Sequence, residues 1–488
     1  MAIEFDQIPS NIRLPGVFAE VVPGRAVRGV GEFPLKVLVI GQKLATGTAT
    51  AAVPVQVFNA AHAVGLFGQH SQLARMFAAL KRVDPFTPTY AIPLADAGSG
   101  VAATGTVTFS GTVTQAGTLN LYIGGRRVRV AVAAAEANAT TATNVAAAIT
   151  AHTDMPVTAS ASGAVVTLTS RNKGEVGNAI DVRANYWPGD ALPAGLAVAI
   201  VAMASGSGNP DMGDAIAAMS SEWWTDLIVG WTDAANMTAL DTELATRFGP
   251  MVDLQAFAYT AVAASNAGAI TWGNARNSPY VFPIAAYRLP TPPDEWAAVV
   301  GILSARDFAS DPARPMTGVA LPGILPPAVA DRFDPAEMNL LLFEGISDWT
   351  VDADGTVRLS RLVTAYQTNA YGAADDAWLD ATTPHTVRRV RHTLTNYVQA
   401  NHARQKIADD GTRFGAGQNV ATPSAIKGTI AAAYMALEAA GLIEDVKAAL
   451  ANTLVERDAN DQTRVNVLTP PNLVNPLYVI AIKLQFSL

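Results

Sequence analysis

The apolar pattern changes period twice along this chain. Residues 35–40 form an apolar run, broken only by Lys36 and closed by Gly41, the signature of a strand buried on both faces of a layered α/β sheet. Residues 71–82 then carry Leu73, Phe77 and Leu80 on one helical face, stopped by Pro85 and Pro88. From 101 to 205 the sequence turns Gly/Thr/Ala/Val-rich and alternates with period two over 106–110, 119–123 and 127–132. Gly124-Gly125 supplies a hairpin turn. A small Ala-rich helix is predicted over 141–151 and strands over 156–161 and 165–170. Ala97-Gly98-Ser99-Gly100 and Ser205-Gly206-Ser207-Gly208 flank this block like linkers. The helix–strand alternation then resumes: helix 211–221, strand 224–229, helix 234–248 ended by Gly249-Pro250, strands 254–259, 269–272 and 281–286, helix 296–308. A β-rich module inserted into a host α/β domain accounts for the interruption, because surface loops tolerate insertions at low thermodynamic cost.

With no cysteine in its 488 residues, the chain excludes disulfides, thiol catalysis and Cys-ligated metals. Charged residues are only 15 %, against about 25 % in ordinary soluble proteins. Such a surface suits a chain covered by partners. The net charge of −8 argues against nucleic-acid binding. The longest apolar stretch, 196–204, is far short of a membrane span, and the first residues hold no apolar run of the signal-peptide kind. Both ends read as extended. Val17, Ala19 and Val21 alternate with Phe18, Glu20 and Val22, and 477–486 alternates over ten residues, interrupted by Lys483. Prolines crowd 312–335. A helix over 335–345, a hairpin over 349–362 turning at Asp354-Gly355, and helices over 386–408, 423–440 and 442–451 follow.

Catalytic signatures are missing from the sequence. There is no GxxxxGK, GxSxG or HExxH. His385 and His392 lie two turns apart, about 10.5 Å along a helix, too far to share a metal. Asp375-Asp376 and Asp409-Asp410 read as turn and capping residues, and Asp352–Gly355 lacks the distal Glu of a calcium loop. No catalytic, cofactor or metal residues are expected. Arg388, Arg391, His392, Arg404 and Lys406 load one helix with positive charge, and the first three share a face. The spacing fits either a solvated face or a surface for an acidic partner.

Several segments resemble the tail sheath proteins of Mu-like contractile bacteriophages and related contractile bacteriocins. They are Ile8-Pro9-Ser10-Asn11-Ile12-Arg13-Leu14-Pro15-Gly16-Val17, the run from Arg358 to Gly372, Lys406-Ile407-Ala408-Asp409-Asp410-Gly411-Thr412-Arg413-Phe414-Gly415, and the ending from Val467 to Asn475. The resemblance implies a non-enzymatic subunit that polymerises with itself into a six-start helical tube around an inner tail tube. Contraction then drives the inner tube through the host envelope. Implied partners are the inner tail tube protein and the baseplate and tail terminator proteins, with no nucleic acid and no membrane insertion. The implied place is the virion tail, after assembly in host cytoplasm. The alternative is a sheath component of a bacterial contractile secretion system, built from two chains. The expected fold is an α+β or α/β multidomain chain, with layered α/β core domains, an inserted β-rich surface module and extended strand arms. The expected boundaries are an arm over 1–25, a discontinuous middle domain over 26–98 and 206–330, the module over 99–205, a C-terminal polymerisation domain over 331–469 and a strand arm over 470–488. Two strands are expected to join neighbouring subunits. One comprises Val17, Phe18, Ala19, Glu20, Val21 and Val22, the other Tyr478, Val479, Ile480, Ala481, Ile482, Lys483 and Leu484. Arg388, Arg391, His392, Arg404 and Lys406 are expected to face the inner tube.

Overall fold

A computed structural model describes residues 33–415 and 417–486. The arm expected over 17–22 lies outside these residues. The chain opens with β1 (Val37–Gln42), β2 (Val55–Val57), α1 (Ala60–Phe67), α2 (Gln72–Val83) and β3 (Thr89–Leu94). After the insertion come α4 (Met212–Met219), β11 (Asp226–Val229), α5 (Ala234–Phe248), β12 (Phe257–Val262), α6 (Asn266–Asn274), β13 (Val281–Ala285) and α7 (Pro293–Ser310). The strands form one sheet in the order β13-β12-β11-β1-β3-β2, parallel except where β2 meets β3. Val37 and Val39 enter the core under α2 and α7, while Leu38 and Ile40 enter the one under α4 and α5. Covering on both faces is why this strand reads as continuous apolar sequence.

The insertion holds β4 (Thr104–Gly111), β5 (Gly117–Ile123), β6 (Arg126–Val132), α3 (Asn138–Ala151), β7 (Val157–Ser162), β8 (Val165–Ser170), β9 (Val182–Ala184) and β10 (Leu196–Ala204). Sheets β10-β4-β8-β7 and β6-β5-β9 close on one core of their own, containing Val107, Leu121, Val145 and Leu168. Alternation puts every second side chain inside, as in any two-sheet sandwich.

Beyond α7 lie β14 (Val319–Ala320), α8 (Pro335–Phe343), β15 (Asp348–Val351), β16 (Val357–Arg361), α9 (Thr382–His402) and α10 (Pro423–Ala439). The β15–β16 hairpin buries Trp349, Val357 and Leu359 in the central core, with the Trp349 and Trp296 rings 5.4 Å apart. A separate core gathers Val390 of α9 with Ile430, Tyr434 and Leu437 of α10.

The structure departs from the sequence reading at several segments. Residues 403–408, read as the end of a helix, lie beyond α9, with Lys406–Ile407 paired in parallel with Val420–Ala421. Residues 443–444, read as the start of the last helix, pair with 472–473. Residues 269–272, read as a strand, lie inside α6. The Ser265 side chain caps that helix by accepting from the Gly268 N–H, and the Trp272 indole donates to the Thr232 carbonyl at 2.8 Å. Four apolar residues carry too little periodicity to separate the two structures. Residues 477–486 have no ladder partner among the described residues. Their alternation is real, but a strand needs a neighbour to satisfy its N–H and C=O groups.

Candidate assembly surfaces

In an open α/β sheet the ligand crevice lies outside the carboxyl ends of the strands, where the strand order reverses. Here that point falls between β1 and β11, and the chain fills it with its own side chains. Gln72 Oε1 accepts from the Gln42 N–H at 2.9 Å, and its Nε2 donates to the Gly230 carbonyl at 3.2 Å. Gln42 Nε2 donates to Asp96 at 2.8 Å and to the Lys173 carbonyl at 2.7 Å. Asn172 accepts from the Gln72 N–H at 2.8 Å and donates to Asp96 at 3.0 Å. Gly230 leaves the room this needs, since a Cβ there would sit 2.3 Å from Gln72 Nε2. The nearby cavity, bordered by Gly230, Trp231 and Asp294, measures about 70 Å³, where small-molecule pockets run to about 300–1,000 Å³. No group of three or more His, Asp or Glu residues is arranged for a metal ion among the described residues.

Asn172 and Lys173 belong to the base of the inserted module and Asp96 to the connection that leads into it from β3, so the filled crevice also anchors the module. A second anchor sits at the tip of the β5–β6 hairpin. Gly124 and Gly125 have φ of +54° and +77°, as a tight two-residue turn of this hand requires. A Cβ on Gly124 would meet Pro156 at 3.1 Å and Pro292 at 3.3 Å. Directly behind the turn, Arg126 Nη1 lies 2.6 Å from Glu295 Oε1 at the start of α7, and Nη2 lies 2.9 Å from Asp154. Arg75 of α2 completes the group, 3.3 Å from Asp294 and 3.7 Å from Glu295. Burial pushes the Glu295 carboxyl above its ordinary range, and Arg126 offsets part of this.

The positive helix α9 has a different role from the one its spacing implied. Arg388, expected to face an inner tube, is only 2 % exposed. Its Nη1 donates to the Thr225 carbonyl at 2.6 Å, its Nη2 donates to His385 Nδ1 at 3.0 Å, and Asp226 Oδ2 stands 3.7 Å away. Arginine is always a donor, so His385 Nδ1 accepts and the neutral ring carries its proton on Nε2. That N–H reaches the Tyr259 hydroxyl at 3.1 Å, which donates to Asp226 at 3.3 Å. Burial, then the Arg388 charge, holds His385 well below its ordinary value. Burial and the Asp226 carboxylate push Tyr259 well up. Arg391 is tied in the same way, donating to the Phe248 carbonyl at 2.7 Å and pairing with Asp253 at 2.8 Å. His392 packs edge-on to Phe33, ring centres 5.2 Å apart. Docking through Arg388 is therefore corrected: this face of α9 is clamped to the amino-terminal ends of β11 and β12. Arg404 and Lys406, expected on the same helix, lie past its end at His402 and are exposed, with Lys406 donating to Gln418 at 2.7 Å.

At the other end of the chain, Leu477, Val479, Ile480, Ile482, Leu484 and Phe486 are 68–84 % exposed. Tyr478 between them is held, with the Arg361 guanidinium 4.2 Å over its ring. The pairings of the clamp and anchor residues escaped the sequence reading because the partners lie far apart in sequence. Arg126 and Glu295, or Gln42 and Asp96, share no local pattern.

Three family descriptions match successive parts of the chain: phage tail sheath protein beta-sandwich domain over 98–198, phage tail sheath protein central domain over 205–365, and phage tail sheath C-terminal domain over 373–487. The chain is 38 % identical, over the full length of both, to the Mu-like prophage FluMu tail sheath protein of Haemophilus influenzae. Its fold is similar to that of the anti-feeding prophage helical sheath in the contracted state, at TM-score 0.50 and 13 % identity, covering 98 % of this chain and 100 % of that one. The sheath tail protein of Desulfitobacterium hafniense aligns over 94 % of this chain and 100 % of its own, at TM-score 0.48 and 12 % identity. The chain belongs to the phage tail sheath protein family.

Proposed function

We propose that this chain is the structural subunit of a contractile tail sheath, polymerising helically around an inner tail tube and shortening to drive that tube through a host envelope. The observation that carries the assembly step is the apolar segment 477–486, exposed apart from the Tyr478 ring held at Arg361 and without a ladder partner among the described residues. A monomer that kept such an edge would be an aggregation hazard. A lattice uses it, because a strand added to a neighbour's sheet gains main-chain hydrogen bonds and side-chain pockets together. Ten residues reach at most about 33–36 Å, enough to cross to an adjacent subunit. A contact between unlike surfaces that does not close into a ring builds an open helix. Main-chain ladders tether subunits while their bodies rotate, so neighbours stay joined through contraction.

Energy for contraction is then held in the assembled extended state, trapped kinetically above a shorter one. The inner tail tube, baseplate and tail terminator are the further partners in this reading. Exposed Arg404 and Lys406 are the remaining candidates for tube contact, and Val17–Val22 for a second inter-subunit strand. The sheath acts in the virion tail and assembles in host cytoplasm. Two truncations test the assembly step by negative-stain imaging and sedimentation. The full chain forms striated tubes, whereas chains lacking 1–22 or 477–488 stay folded and unassembled. Normal tubes from either truncation would remove that arm from the mechanism.

A further inference from the structure

The carboxyl-terminal segment is fastened to the body at two points before it leaves it. Upstream, 472–473 pair with 443–444, and the Val474 N–H donates to the Leu442 carbonyl at 3.2 Å. Asn475, Pro476 and Leu477 then cross to Tyr478, whose ring lies 4.2 Å under the Arg361 guanidinium. The receiving surface does not depend on Tyr478. Backbone bonds tie 361–364 to 379–381: the Thr364 N–H donates to the Leu379 carbonyl at 2.8 Å and the Ala381 N–H to the Leu362 carbonyl at 3.3 Å. Arg361 Nε and Nη2 both donate to Asp380 Oδ1, at 3.0 and 2.7 Å. A guanidinium is planar, so its edge serves Asp380 while its face stays open to a ring. Burial, then the Asp380 carboxylate, pushes the Tyr478 hydroxyl up from its ordinary value.

The contact is isolated. Leu477 before it is 68 % exposed, and Val479 and Ile480 after it are 79 % and 73 % exposed. Once the arm extends as a strand, alternate side chains share a face. The Tyr478 contact therefore dictates that Ile480, Ile482, Leu484 and Phe486 face the side on which Arg361 lies, and that Lys483 and Gln485 face away. It also moves the start of the free arm from residue 475 to residue 479. Residues 479–486 reach at most about 26–29 Å, against about 40–43 Å for 475–486. A shorter tether that still spans the gap raises the effective concentration of the arm at its docking site.

We propose that Arg361 and Asp380 hold Tyr478 as the fixed root of the arm, a positioning contact that sets where residues 479–486 leave the body and which face they offer to a second copy. The second copy rests on the sheath reading; the latch does not. Because the chain has no Cys, Ala481→Cys gives a single thiol for a nitroxide three residues past the ring. In the full, unassembled chain its electron spin resonance spectrum should show restricted motion. Tyr478→Ala or Arg361→Met should each turn it into the fast-motion lineshape of a free tail, while Tyr478→Phe, which keeps the ring, should stay close to the parent. Fast motion in the parent, or a spectrum that Tyr478→Ala leaves unchanged, overturns the latch. In the unlabelled chain, Tyr478→Ala and Arg361→Met should each raise the concentration for half-maximal tube formation at least about fivefold, the effect of having to re-order one backbone residue on docking. The double variant should be no worse than the poorer single one, because both remove the same contact. Penalties that multiply mean separate roles and overturn the shared root. A parent chain that forms no tubes overturns the sheath reading, and the spectrum alone then decides the latch.

Discussion

Replacing Arg388 should destabilise the fold before it affects any interface. Arg388→Met leaves Asp226, itself buried, with a carboxylate whose Oδ2 has no hydrogen-bond partner among the described residues and whose counter-charge is gone. Removing one member of a buried ion pair costs about 3–5 kcal/mol. The lost donations to the Thr225 carbonyl and His385 are part of that figure, not additions to it. Against a typical stability of about 5–15 kcal/mol, this is a large fraction. Arg388→Glu is worse, since it sets a second carboxylate beside the first. Urea unfolding of the unassembled chain reads the effect through tryptophan fluorescence, because Trp223 lies against Phe33 and His392 next to the clamp. With a slope of about 3 kcal/mol per M, the midpoint falls by about 1–1.7 M. A charge-reversed chain that keeps its midpoint within about 0.3 M and loses only assembly would refute the clamp, and would return this face of α9 to the role its spacing implied.

The clamp also makes stability depend on pH. His385 is held below its unfolded value of 6.5, so its contribution is present above that pH and lost as the pH falls through it. Unfolding midpoints should drop from about pH 7 to about pH 5, and His385→Gln, which keeps a polar side chain but does not titrate, should flatten that drop. At the module anchor the sign is opposite. Glu295 is raised above 4.5, so its contribution is present below that pH and lost as the pH rises. Arg126→Met should therefore cost about 3 kcal/mol near neutrality, tempered by Arg75, and less in acid; Glu295→Gln in the same chain should recover part of the loss. An Arg126→Met penalty independent of pH would mean Glu295 does not carry the anchor.

The periodicities were legible because each is local. The insertion shows in composition, the buried strand β1 in its apolar run, and α5 in its span from Ala234 to Phe248. The unpaired ending showed as a ten-residue alternation. The long ordered segments shared with contractile tails carried the family. Residues 269–272 were ambiguous for want of length, and the cap that decided them, Ser265, lies outside the run.

What the sequence determined by itself was the kind of element most of the longer segments form, because helix and strand periods are set by neighbours a few residues apart. What only the tertiary structure decided was which face is covered and by what. Arg388 and Arg404 read alike in sequence, yet one is buried against Asp226 and the other is exposed. Gln42 and Asp96, or Arg126 and Glu295, meet only once the sheet and the module are built. A charge's role depends on the dielectric and the partners around it, and those come from distant segments of the chain.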